Sequence, residues 1–270
     1  MKKINKGSCP AELSAFSKNN PNGTWDDFCE NTTDKRKVQQ KIRSDQHGLC
    51  AYCEIDLLEI PADMRDTSGC GVKSDFRIDH FHPKSVKSNP AKNYALDWQN
   101  LLGTCTGGDE KCIIDANRFS SRKKDRHCDS KKKNRNLDGI ILNPLTDIPA
   151  FPCLWNCEQD LLNHRSTLLP DKNECQSLGN NTLQKANATL RHLNLNCNLL
   201  AAFRWKTLHA IEEEIKRLID SGVDADEAFE KVMEQTFDNA SPNWPPFFST
   251  IRAYFGAVAE NRLHAIGYEG

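Results

Sequence analysis

Four cysteines, an Asp–His pair, an asparagine and a second aspartate carry the chemistry this sequence can offer, and all lie between Cys50 and Lys133. Cys50-Ala51-Tyr52-Cys53 is a C-x-x-C pair, and two residues between thiols let one tight turn present both to a tetrahedral zinc at about 2.3 Å per bond. A lone C-x-x-C is weak, since redox motifs and accidental pairs also produce it. Its weight comes from Cys105 and Cys128, themselves separated by 22 residues. The four are expected to hold one structural Zn²⁺ that ties two distant loops together, with Cys112 and His127 as competing ligands. Cys9 and Cys29 read as ordinary thiols, Cys153 and Cys157 as packed ones, and Cys70 stays unassigned.

Between the cysteines runs Asp79-His80-Phe81-His82-Pro83, followed by Asn100. Hydrolysing a phosphodiester requires a deprotonated water, neutralisation of developing phosphate charge and stabilisation of the leaving oxygen. His80 suits the first task, because a neutral imidazole is a competent base near neutral pH. Asp79 and Asp129 suit the second, as oxygen ligands of a hard cation, Mg²⁺ or Mn²⁺. Asn100 is expected to fix the loop and orient His80. His82 is open between a substrate contact, a second metal ligand and an exposed ring.

The elements that must position these groups are legible in outline. Thr33 to His47 are strong helix formers with Thr33 or Asp34 as N-cap, on a basic helix that offers either a solvated face or a phosphate-contacting edge. Phe76 to Phe81 alternates as a half-buried strand, which would send Asp79 and His80 to opposite faces unless it bends. Pro83 stops it and opens a loop from Lys84 to Asp97. Trp98 to Leu102 reads as a second short strand, and Asp129 to Arg135 can begin a helix. Strand, loop, strand, helix is the minimal frame of a ββα-metal site.

Outside this frame, residues 1 to 30 read as a loose arm or short helices anchored by Trp25 and Phe28. Gly139 to Pro144 reads as a strand and Ala150 to Cys157 as another. Helices are expected over Thr182 to Leu193, Asn196 to Ser221 and Asp224 to Gln235, the last capped by Asp224 or Asp226. A final helix carries Phe247, Phe248, Ile251, Tyr254 and Phe255, and its aromatic density marks it as the partner contact. The fold class is therefore α+β, mostly helical: an N-terminal arm and basic helix (1–47), a zinc-stapled nuclease domain (48–137) and a mainly helical C-terminal domain (138–270).

The net charge of −1 over 270 residues selects no partner. Its distribution does: Arg118 to Arg135 holds nine Lys/Arg against two Asp, a net of +7. Beside a phosphodiester site that run reads as phosphate contacts, Arg122, Lys123, Lys124, Lys131, Lys132 and Lys133, with Lys84 from the preceding loop. The first residues carry no apolar run of a signal peptide, and no apolar segment approaches the roughly 20 residues needed to cross a bilayer. The expected compartment is the reducing cytoplasm, without membrane contact, where grouped cysteines bind metal rather than pair.

Asp79-His80-x-x-Pro83, Asn100-Leu101 with Cys105 five positions on, and Cys128-Asp129-x-x-Lys132, led by Cys50-x-x-Cys53, resemble the HNH endonuclease pattern over about 85 residues. The resemblance implies His80 as general base, Asp79 as metal ligand and Asn100 as the middle asparagine. Asp129 stands where the pattern has His or Asn, which leaves the third ligand open to His127 or Asn134, and the insertion between Cys105 and Cys128 is longer than in compact members. The wider chain is similar to the PtuB-type HNH proteins of Septu and retron anti-phage systems, through Cys50-Ala51-Tyr52-Cys53-Glu54, Asp97 to Leu102, Ile141 to Leu145 and Leu193-Asn194-Leu195-Asn196. That implies nucleic acid as substrate (DNA, or tRNA and other RNA), a PtuA-like ATPase partner, and a retron reverse transcriptase with its ncRNA/msDNA as a further one. The chain has no G-x-x-x-x-G-K-[ST] loop, so nucleotide sensing would come from another subunit. The competing class is a non-catalytic zinc module that binds nucleic acid or scaffolds an ATPase.

Overall fold

A computed structural model describes residues 1–60, 71–85, 92–179 and 181–270. Cys70 and part of the loop after Pro83 lie outside them. The first helices form where capping chemistry allows. Helix α1 spans Ala11–Asn19 and α2 spans Trp25–Cys29, the latter opened by a capping box between Thr24 and Asp27. The basic helix α3, Thr32–Asp45, is capped one turn-position earlier than expected: Asn31 accepts from Thr33 N and Asp34 N, so Thr33 and Asp34 are inside the helix. Its apolar residues Val38 and Ile42 are fully buried. The N-terminal segment is not a loose arm, because Met1, Ile4, Leu13, Trp25 and Phe28 are all buried in the core.

Strand β1, Arg77–His80, pairs antiparallel with β2, Leu101–Thr104, in the register Arg77↔Thr104 and His80↔Leu101. Trp98–Asn100 is a 3-10 turn rather than the start of β2, fixed by Asp97, whose carboxylate accepts from Gln99 N. Gln46, at the end of α3, satisfies both backbone groups of Gly103 on β2. Helix α4, Cys128–Lys132, follows the insertion. Antiparallel pair and helix thus follow one another in the expected order.

The second half begins with a turn, not a strand, over 139–144. A hairpin that sequence reading half saw comes next, β3 (Trp155–Asp160) on β4 (Arg165–Pro170). Helices α5 (Lys172–Ser177), α6 (Thr182–His192), α7 (Asn198–Asp220) and α8 (Ala225–Thr236) follow, with Asp224 capping α8. The expected last helix is two, α9 (Phe248–Phe255) and α10 (Ala257–Ala265), divided at Gly256. Phe248, Ile251 and Phe255 are buried in a second core with residues of α7 and α8, and Phe247 is buried in the first. These aromatics therefore serve packing, and the expectation that they meet a partner is corrected. Among the described residues no helix is long and apolar enough to cross a membrane.

Candidate active site and sulfur cage

The cage is built by three backbone devices. Glu54 N donates to Cys50 O and Cys50 N to Ile55 O, closing the C-x-x-C turn, while Ala51 N donates to Gly103 O and hangs that turn on β2. Cys105 follows β2 directly. Cys128 opens α4, its N–H donating to Leu193 O from the turn between α6 and α7. The four sulfurs are buried and lie within 4.8 Å of one another, with Cys50–Cys128 at 3.8 Å and Cys53–Cys105 at 3.6 Å. Tetrahedral coordination at 2.3 Å per Zn–S bond requires sulfurs about 3.8 Å apart. The set therefore fits a tetrahedral thiophilic ion and could hold zinc. Burial opposes ionisation of Cys50, yet hydrogen bonding with the surrounding sulfurs of Cys105, Cys128 and Cys53 holds its thiol well below the usual range. The two rival ligands stand elsewhere: His127 Nδ1 faces Asp125 O at 2.9 Å, and Cys112 is outside the group.

Beside the cage, a cleft of about 380 Å³ is lined by Asp79, His80, Asp129, Lys132, Trp25 and Arg77. Asp79 and His80 are strand neighbours but both reach it, since His80 is the last residue of β1 and the chain turns away there. His80 Nε2 lies 3.1 Å from Ala95 O. A carbonyl only accepts, so Nε2 carries the hydrogen and Nδ1 is left as the basic nitrogen. Burial keeps the ring's pKa below its ordinary value, and the edge of Trp25 packs on it at 5.6 Å between centroids. Asn100 grips the loop that supplies this carbonyl. Its Oδ1 accepts from His82 N at 2.7 Å, and its Nδ2 donates to His82 O and Tyr94 O at 2.8 Å each.

Asp79 is held from two sides. Tyr52 donates its hydroxyl to Oδ2 at 2.5 Å, and Lys132 Nζ sits 3.0 Å from Oδ1 while donating to His80 O at 2.6 Å. Asp129, on the first turn of α4, faces Asp79; its carboxyl is pushed up to about 7 by burial and by the neighbouring Asp79 charge. Asp79 and Asp129 bring two carboxylates into one cleft, hard-oxygen donors of the kind a divalent cation takes, so the donor types fit one. Asn134 lines the same cleft, while His127 is turned away from it.

The expected nucleic-acid contacts divide. Lys123, Lys124, Lys131 and Lys133 are exposed, Arg122 reaches Asp125, and Lys84 bonds Asp26 at the cleft's edge. Lys132 is 1% exposed, so it is not a phosphate contact but an internal partner of Asp79. Arg118, counted in the basic run, is likewise internal, bound to Asp56 and Asp75. His82 is buried, packed against Tyr94 with ring centroids 3.9 Å apart and bonded through Nδ1 to Asp138, which excludes the exposed reading. Sequence reading missed Tyr52, Trp25 and the true place of Lys132. The spacing Asp129-x-x-Lys132 did hold a signal, because residues three apart share a helix face.

No family model matches the chain. A relative from Escherichia coli named "Retron Ec83 putative HNH endonuclease" is 33% identical over 220 residues, covering 77% of this chain and 79% of the relative.

Proposed function

The chain belongs to the HNH endonuclease family, and from that premise we propose that it hydrolyses nucleic-acid phosphodiester bonds at the cleft of Asp79, His80 and Asp129. The observation that carries the reading is the hydrogen bond from His80 Nε2 to Ala95 O, which leaves Nδ1 as a base beside two carboxylates. In this reading His80 Nδ1 takes the proton of the attacking water, and Asn100 keeps the Ala95 carbonyl in place. Asp79 and Asp129 hold Mg²⁺ or Mn²⁺, which when bound neutralises phosphate charge and stabilises the leaving oxygen. Lys132 and Tyr52 orient Asp79. Residues 48–137 are taken as a ββα-metal module stapled by zinc at Cys50, Cys53, Cys105 and Cys128. The flanking segments 1–47 and 138–270 brace it.

DNA is the favoured substrate, with tRNA or other RNA open, because a site of this kind contacts the scissile phosphate and reads little of the sugar. Exposed Lys123, Lys124, Lys131 and Lys133 supply backbone contacts. The retron in the relative's name supports a cytoplasmic role as effector of an anti-phage complex, beside a PtuA-like ATPase and a retron reverse transcriptase with its RNA–DNA product. The test is a divalent-cation titration of labelled DNA and tRNA side by side, with wild type and His80→Ala, alone and in the assembled complex. Cleavage confined to the wild type supports the enzyme. Identical behaviour of the two proteins under every cation and partner condition leaves only a binding or scaffolding module.

A further inference from the structure

Asp138 lies one residue past the segment 48–137, yet its carboxylate reaches back to the loop behind the cleft. Its Oδ2 stands 2.5 Å from His82 Nδ1, and an ionised carboxylate only accepts, so that nitrogen carries the hydrogen. The turn presenting Asp138 is anchored. Asp138 N donates to Asn136 Oδ1, Ile140 N and Ile141 N both donate to Leu137 O, and Leu137 and Ile141 are buried. His82 passes the restraint on. Its ring packs on that of Tyr94, with centroids 3.9 Å apart and planes 32° from parallel, while Asn100 takes both its backbone groups. The same Asn100 amide donates to Tyr94 O, and the next carbonyl along, Ala95 O, is the one that meets His80 Nε2. From the other side Asn93 ties this turn down, accepting from Ala95 N and donating to Pro21 O and Gly23 O.

Each step from the Asp138 carboxylate to the His80 ring is thus a hydrogen bond, a ring contact or a stretch of adjoining backbone. A buried ring held at its nitrogen and across its face keeps one rotamer, and in a close-packed interior its neighbours keep theirs. We propose that Asp138 is a positioning residue for the general base. By holding the His82 ring against Tyr94, it keeps the Ala95 carbonyl on His80 Nε2 and leaves Nδ1 as the nitrogen that takes the proton. The inference rests on the reading of His80 as the base. Asp138 does not line the cleft, so its effect falls on turnover rather than on substrate binding. Its side chain is 44% exposed, so replacing it leaves little core to collapse.

The experiment compares the full chain as wild type, Asp138→Ala and Asp138→Asn. Isotopically labelled histidine is read by nitrogen NMR at about pH 8, above the ordinary histidine range, with His80→Gln identifying the His80 signals. In wild type the two ring nitrogens are expected far apart, one protonated and one bare, with a slowly exchanging Nε2 proton. In Asp138→Ala they should draw together as both tautomers fill, and the proton should exchange about tenfold faster or more. On labelled DNA and tRNA, kcat should fall about tenfold or more with KM within about twofold of wild type. Asp138→Asn keeps an oxygen acceptor for His82 Nδ1–H and should stay within about threefold of wild type in every measure. His80 signals and kcat that both stay unchanged in Asp138→Ala overturn the inference and leave the proposed function standing, and so does either change without the other. An Asp138→Asn that matches Asp138→Ala refutes the hydrogen bond as the route. A wild type that cuts neither substrate under any cation overturns both readings. Should Asp138→Ala fail to fold, His82→Phe, which keeps a ring on Tyr94 and loses the Asp138 bond, takes its place under the same expectations.

Discussion

In the proposed mechanism His80 serves as a base only while its ring is neutral, and its surroundings favour that form. Burial lowers its pKa, and the Ala95 carbonyl fixes the hydrogen on Nε2. His80→Ala is therefore expected to cut cleavage by about a hundredfold or more in a protein that still unfolds cooperatively in urea. Lys132 makes the opposite kind of prediction. Lys132→Met leaves Asp79 buried without its cation, at a cost on the order of 3 kcal/mol, read as a lowered urea midpoint together with lost cleavage. A surface phosphate contact would instead change salt dependence and leave stability alone. The sequence announced Asp79, His80 and Asn100 because their types and spacing are chemically telling. It hid Tyr52 and Lys132, since a residue inside a C-x-x-C passes for a spacer and a lysine in a basic run passes for surface. What decides both is the tertiary neighbour, Asp79, 27 positions from Tyr52 and 53 from Lys132.

Among the elements, helices were the easier reading. The apolar periodicity of α6, α7 and α8 placed them to within a few residues, because core burial and local propensity agree there. The hairpin was obscured by its own turn: Leu161 and Leu162 are 68% and 94% exposed at a position where polar residues would have marked a bend. The apolar run 139–144 misled in the other direction, having no partner edge to pair with. Capping chemistry gives a clean check of the corrected helix start. Asn31→Ala should destabilise the protein by about 1 kcal/mol, whereas Thr33→Ala should cost much less, both read by denaturant unfolding. Gly103 offers a second one. A Cβ there would stand 2.9 Å from Phe76 and 3.0 Å from Ile42, so Gly103→Ala should force β2 away from α3 and lower the thermal midpoint.

For the whole molecule, two controls on stability are expected. The cage is one. Cys53→Ser should lose the metal and unfold the region around it, seen as absent zinc in elemental analysis and a collapsed thermal midpoint. The other is the seam between α3 and the C-terminal segment, where His47 packs on Trp244 at 5.4 Å and accepts Trp244 N at its carbonyl. Burial, then the charge of Lys2, lower the His47 pKa below the ordinary 6.5. The unfolded chain therefore binds the proton more readily, so stability from this group is complete above about 6.5 and is lost as pH falls through the folded value. The wild-type thermal midpoint should gain on that of His47→Gln as pH rises to about 6.5 and hold a constant lead above it.

The turn from Leu193 to Asn196 has a practical consequence for anyone who wants to cut the nuclease free. Leu193 lends its carbonyl to the Cys128 N–H, and Asn194 donates to the carbonyls of Lys124 and Arg126. Two residues further on, Asn196 binds both backbone groups of Leu168 on the hairpin. A fragment trimmed after residue 137 would keep every sulfur yet lose the bracket that seats the fourth. The smallest transplantable unit must therefore run through Asn196 and carry the hairpin with it.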